Sequence, residues 1–192
     1  MLTIGILDLQ GDVSEHFALT SRALNKIDNN STVITVKNEH EASFCDGIII
    51  SGGESTVIGK LLEKTGIKKV IISENIPVFG TCAGMVLLAS ETDHDQPLLN
   101  LIDMKVKRNA FGRQKESFEE EIEVLEEKFT GIFIRAPVVV QVGEEVAVLS
   151  ILNDKIIAVK QGMHMATSFH PELTENTRLH EYFIKEVLKC VE

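Results

Sequence analysis

Four short apolar runs, each closed by a polar or glycine-rich turn, constrain the fold of this chain more than any other feature. Residues 2–9, 32–36, 47–50 and 77–79 are short, mainly apolar runs of strand type. Strands of that kind are buried on both faces, as in a parallel sheet. Segments of helical periodicity separate them. One follows Gln10-Gly11-Asp12 and sets Phe17, Leu24 and Ile27 near one face; another spans residues 55–65, with Ile58, Leu61 and Leu62 inward. Residues 70–73 extend a further helix. The rhythm predicts an α/β domain, a mostly parallel sheet flanked by helices. Sites in such sheets form beyond the carboxyl ends of the strands. Gln10-Gly11, Gly52-Gly53 and Cys82 each follow a strand, so they converge on one edge.

The second half changes character, making the sheet mixed. Residues 136–142, 146–152, 156–161 and 163–169 read as successive strands, with turns at Gly143-Glu144 and Asn153-Asp154. Residues 175–191 close the chain as a helix that buries Leu179, Phe183, Val187 and Leu188, while residues 93–98, with Pro97, form a loop. That loop is too short to link domains, so residues 1–192 are expected to form one domain.

Charge and cysteine usage exclude several functions. The net charge of -10 lacks the footprint of a nucleic-acid binder, and the one basic grouping, residues 105–113, suits an anion-binding loop. No apolar stretch approaches the length of a membrane span, and Met1-Leu2-Thr3-Ile4 begins a strand. Cys45, Cys82 and Cys190 are too few and too scattered for a disulfide framework or a zinc site, which predicts a cytoplasmic protein without a structural metal.

Two readings of Cys82 compete. Gly80-Thr81-Cys82-Ala83-Gly84 lies between apolar runs, where a tight strand-to-helix elbow presents a nucleophile near a helix N-terminus. A free cysteine is also a small hydrophobe, and most are buried as such. Of the six histidines, only His170 ends a predicted strand, followed by Pro171 and Glu172. Proline keeps the residue before it out of the helical region, and in an extended tripeptide the first and third side chains share a side. Glu172 is then placed to orient the imidazole toward a thiol, the logic of a triad. The competing reading is a half-buried histidine and a helix-capping carboxylate.

Together, Gly80-Thr81-Cys82-Ala83-Gly84 and Ser168-Phe169-His170-Pro171-Glu172 resemble the class I, triad-type glutamine amidotransferases, whose fold is flavodoxin-like. Four further strings narrow the resemblance to the glutaminase subunits of pyridoxal 5'-phosphate synthases. They are Ile4 to Val13 with Glu15-His16, Ser51-Gly52-Gly53-Glu54-Ser55-Thr56, Lys107-Arg108-Asn109-Ala110-Phe111-Gly112-Arg113-Gln114, and Phe133-Ile134-Arg135-Ala136-Pro137. The likeness spans the chain. It departs at Ser51, where the family usually carries proline, and at Met85, where leucine is common.

The resemblance implies a Cys82–His170–Glu172 triad that hydrolyses L-glutamine, with the backbone N–H groups of Gly53 and Ala83 as oxyanion donors. It also implies substrate contacts from Gly53, Glu54, Ser55, Arg108, Ile134 and Arg135, and a gating role for Gln10. No cofactor or metal is implied. The ammonia passes to a (β/α)8-barrel synthase subunit, toward which Glu116, Glu119, Glu120, Glu121 and Glu123 offer an acidic docking surface or simply a solvated one. Two alternatives share parts of this pattern: a glutaminase subunit of histidine or purine synthesis, and a non-catalytic α/β binding module.

Overall fold

The computed structural model describes residues 1–28, 30–111 and 117–191, with side chains through Lys189. Gly112, Arg113, Gln114, Glu116 and the Cys190 side chain, all singled out above, lie outside the described residues. The first half alternates as its sequence predicts: β1 Thr3–Leu7, α1 Val13–Ile27, β2 Thr32–Val36, α2 Glu39–Ala42, β3 Gly47–Ile50, α3 Ser55–Lys64, α4 Ile67–Ser73, β4 Val78–Thr81 and α5 Ala83–Leu88. The second half adds β5 Ala89–Thr92, β6 Ile102–Lys107, β7 Ser117–Val124, β8 Glu127–Ile134, β9 Val138–Val142, β10 Ala147–Leu152, β11 Lys155–Gln161 and β12 His164–Thr167. A 3-10 turn, Pro171–Leu173, and α6, Arg178–Val191, follow.

Ten strands form one sheet in the order β2-β1-β3-β4-β12-β11-β9-β6-β5, with β10 paired to β11. From β2 through β12 every pairing is parallel; β11 then runs antiparallel to β12, β9 and β10. Apolar continuity in the first strands has the expected cause. Ile48, Ile50 and Val78 pack on one face with α3, α4 and α5, while Ile4, Ile6, Ile49 and Phe79 pack on the other with α1 and α6. Each such side chain stabilises the fold by about 1.5–3 kcal/mol on burial.

Helix boundaries follow local chemistry. Glu54 caps α3 by accepting from the N–H groups of Thr56 and Val57, placing negative charge at the positive end of the helix. Gly66, at φ 77, turns the chain from α3 into α4. The inward face of α1 differs from the expected one. Leu19, Ala23 and Leu24 are buried with His16, whereas Phe17 lies on the outer side. Periodicity alone placed Phe17 inward because it could not anticipate a buried histidine on the core-facing stripe.

Strands β7 and β8 form a separate two-stranded hairpin that sequence reasoning passed over as an acidic segment. The four glutamates of β7 are exposed, while Ile122 and Val124 are buried. Across the pair, Phe118 stacks on Phe133 with ring centroids 4.7 Å apart. Such cross-strand packing outweighs the poor strand propensity of glutamate. Among the described residues no helix is long and apolar enough to cross a membrane.

At the start of β4 the ring of His164 accepts a hydrogen bond at Nδ1 from the Val78 N–H, 3.2 Å away. Burial lowers this histidine from its ordinary 6.5 to about 4. A depressed folded value makes its stabilising contribution complete above pH 6.5 and progressively lost as pH falls toward 4. Urea unfolding of wild-type protein is therefore expected to give a lower midpoint at pH 5 than at pH 7.5. In His164→Leu, the difference between the two midpoints is expected to shrink.

Candidate active site

The sheet brings the predicted site residues to its carboxyl edge by register. Thr81 at the end of β4 pairs with Thr167 at the end of β12, and Gly80 pairs with Ile50 of β3. One residue beyond Thr81 is Cys82; three beyond Thr167 is His170. The Cys82 N–H donates to the Thr167 carbonyl at 2.8 Å, and the His170 N–H donates to Ile132 at 2.8 Å. Cys82 and His170 thus follow adjacent parallel strands.

Cys82 has φ 50 and ψ -103, a conformation costly for any residue with a Cβ. Absent side chains on either side let the chain turn there. A Cβ on Gly84 would lie 2.2 Å from the Ile50 carbonyl oxygen, and one on Gly80 would lie 2.5 Å from the Gly84 carbonyl carbon. The elbow therefore packs α5 directly on β3 and β4.

His170 Nδ1 donates to Glu172 Oε1 at 2.6 Å, and Asp12 Oδ2 lies 3.4 Å from the same nitrogen. His170 Nε2 is buried without a conventional hydrogen-bond partner among the described residues, which leaves it for the thiol and a bound substrate. The Cys82 thiol faces the Ile134 carbonyl at 3.7 Å. Burial acts to lower the His170 pKa, but hydrogen bonds to Asp12, Cys82 and Glu172 outweigh it and push the group up to about 12. A charged imidazolium thus lies beside Cys82. Burial raises the Glu172 carboxyl above its ordinary range, although His170 opposes that. Burial and the charges of Asp46 and Glu41 push the Cys45 thiol up to about 12.

A cleft of about 410 Å³ opens over Cys82. Gly53, Glu54 and Ser55 line one side, Ile134 and Arg135 another, with Ala83 and His170 at the base and Arg108 at the rim. Gln10 and Glu172 do not line it; each is hydrogen-bonded to a residue that does. Arg108 Nη1 donates to Gln96 Oε1 at 3.2 Å and to Ser55 Oγ at 3.4 Å, and lies 3.7 Å from Glu54 Oε1. These contacts hold the guanidinium over the start of α3. Sequence reasoning missed Asp12 and Gln96 as parts of the site, because only the fold brings them to His170 and Arg108.

The β1 loop also touches β3. Gln10 Oε1 accepts from the Glu54 N–H at 2.9 Å, and Ser51 Oγ donates to the Gln10 carbonyl at 3.3 Å. Ser51 thus restores by hydrogen bonding some of the order that a proline would supply. Gly53 has φ 146, and a Cβ there would meet Ile58 and Gln10 at 3.1 and 3.2 Å. Its glycine answers to backbone conformation and to the Gln10 contact.

Residues 6–189 match the SNO glutamine amidotransferase family. The chain belongs to that family. Among its relatives, a pyridoxal 5'-phosphate synthase subunit PdxT of Methanothermobacter thermautotrophicus is 67% identical, with all of both chains covered. One of Methanobrevibacter smithii is 57% identical, again over all of both chains. A solved glutamine amidotransferase superposes with TM-score 0.85 at 43% identity, covering 96% of this chain and 98% of that one. A putative GMP synthase subunit of Thermoplasma acidophilum, at 18% identity and TM-score 0.64, shares the fold over 98% of this chain and 93% of its own.

For a member of the SNO family, the close fit of His170 against β3 is testable. A Cβ at residue 52 would lie 2.4 Å from His170 Cε1. Gly52→Ala is expected to displace the imidazole and lower glutamine turnover about a hundredfold. Its urea midpoint should fall much less than that of a core truncation such as Phe79→Ala, which costs about 3–5 kcal/mol.

Proposed function

We propose that this chain is the glutaminase subunit of a pyridoxal 5'-phosphate synthase. It hydrolyses L-glutamine to L-glutamate and ammonia and passes the ammonia to a (β/α)8-barrel synthase subunit. One observation carries the chemistry: Cys82 sits in a strained elbow under the cleft, beside a histidine whose far nitrogen is tied to Glu172 at 2.6 Å. Family membership and the full-length likeness to named synthase subunits support the substrate and the partner.

The Cys82 thiolate attacks the carboxamide carbon of glutamine, and the carbonyl electron pair moves onto oxygen. Backbone N–H groups of Gly53 and Ala83 stabilise that oxyanion. His170 gives its proton to the departing nitrogen, the C–N bond breaks, and ammonia leaves a glutamyl thioester. His170, now neutral, takes a proton from water as the water attacks; collapse of the second intermediate expels the thiolate and releases glutamate. Glu172 keeps the imidazole aligned throughout, and Asp12 adds a second negative charge to the imidazolium. Arg108 receives the α-carboxylate, while Glu54, Ser55, Ile134 and Arg135 shape the rest of the pocket. Gln10, which accepts from the Glu54 N–H, gates the Gly53 donor when the partner docks. Neither metal nor cofactor is needed, and a free thiol nucleophile suits the reducing cytoplasm.

Cys82→Ala is expected to lower glutamate release in the presence of the synthase subunit by roughly a thousandfold or more. Wild-type turnover in this variant would rule out Cys82 as nucleophile. Arg108→Ala is expected to raise KM for glutamine more than it lowers kcat; an unchanged KM would remove Arg108 from substrate recognition.

A further inference from the structure

Behind the triad lies a second set of buried polar groups that the mechanism above does not use. His16 on α1 and His180 on α6 are both fully buried. His16 Nδ1 is 3.0 Å from His180 Nε2, and His16 Nε2 is 3.0 Å from Thr81 Oγ1 and 3.3 Å from Glu172 Oε2. Glu172 Oε2 makes no conventional hydrogen bond among the described residues, so His16 Nε2 is the polar atom set against it.

Burial settles where the protons sit. His180 Nδ1 is enclosed with no partner among the described residues. An orphaned N–H is the rarer arrangement inside proteins, so this nitrogen is the bare one and His180 donates from Nε2 to His16 Nδ1. His16 then carries its hydrogen on Nε2, shared between Thr81 and the carboxylate. The opposite assignment would bury an unpaired N–H on His180 and point a lone pair of His16 at a carboxylate oxygen. Burial also keeps both rings neutral: His16 falls well below 6.5, helped by His180 and His170, and His180 falls to about 3.

We propose that His16, its tautomer fixed by His180, is a positioning residue for glutamine hydrolysis. Its Nε2–H steadies Glu172 Oε2, which keeps Oε1 on His170 Nδ1 and keeps His170 Nε2 aimed at Cys82. The idea rests on the glutaminase reading. Thr81 adds a direct link, since it precedes Cys82 and shares the same His16 hydrogen. Distances of this kind shorten when substrate closes a site.

The test compares His16→Leu, His16→Gln and His180→Phe as full chains with the synthase subunit, reading kcat, KM and the kcat–pH profile. Glutamine at residue 16 retains an N–H near the imidazole Nε2; leucine does not. Glu172 is faced by His170, by Asp12 before α1 and by His16, and only the last changes. Removing a donor disfavours the ionised carboxylate, so the acid limb of the profile should move to higher pH in His16→Leu. Its kcat should fall roughly tenfold to a hundredfold with KM within about twofold. His16→Gln should recover most of kcat and the wild-type limb, and His180→Phe should fall between. If His16→Leu does not fold, His16→Asn replaces it, because its shorter amide stops short of Glu172. An unmoved acid limb, or equal losses in the glutamine and leucine variants, would overturn the positioning role. Turnover that survives Cys82→Ala would instead overturn the glutaminase reading itself.

Discussion

Everything at this site depends on the chain turning between β4 and α5 without side chains in the way. Cys82 holds a positive φ because Gly80 and Gly84 let the first turn of α5 lie against β3 and β4. The surrounding core over-determines that turn, since α5 is buried along its length. The N–H of Cys82 is spent on Thr167, which fastens the elbow to the strand that leads to His170. Strain in the Cys82 backbone and the placement of His170 are therefore one constraint, set by two neighbouring parallel strands.

The same edge gathers the rest of the pocket from distant parts of the chain. The β7–β8 hairpin contributes Ile134, whose carbonyl faces the thiol, and its backbone accepts from the His170 N–H. Glu54 at the start of α3 serves as helix cap and cleft wall at once, and its N–H is held by Gln10 from the β1 loop. A negative charge on each side of His170 Nδ1 compensates for the burial of the imidazolium.

Much of this was legible in the sequence. Continuous apolar strands gave the parallel half and the edge on which Gly53, Cys82 and His170 meet. The Asn153-Asp154 turn was readable too, since both residues adopt positive φ between β10 and β11. His170-Pro171-Glu172 announced its hydrogen bond through two-residue spacing. Other features were hidden for physical reasons. The β7–β8 hairpin is masked by its exposed glutamates, and its strand character resides in aromatic pairs visible only across the fold. Gln96 and His180 carry no local signature, and the string that holds Asp12 and His16 does not tell their partners; each of the four matters through a partner far away in sequence. Phe17 was misplaced because a core histidine occupies the stripe that apolar periodicity would assign to it.

The central claim is that Cys82 forms a covalent bond to the glutamyl group. Acid quenching of the complex during steady-state turnover, followed by peptide mass spectrometry, tests it most directly. A glutamyl adduct should map to the peptide containing Cys82, be absent from Cys82→Ala, and spare Cys45. Steady glutamate release by the Cys82→Ala protein, or an adduct on Cys45 in its place, would contradict the claim.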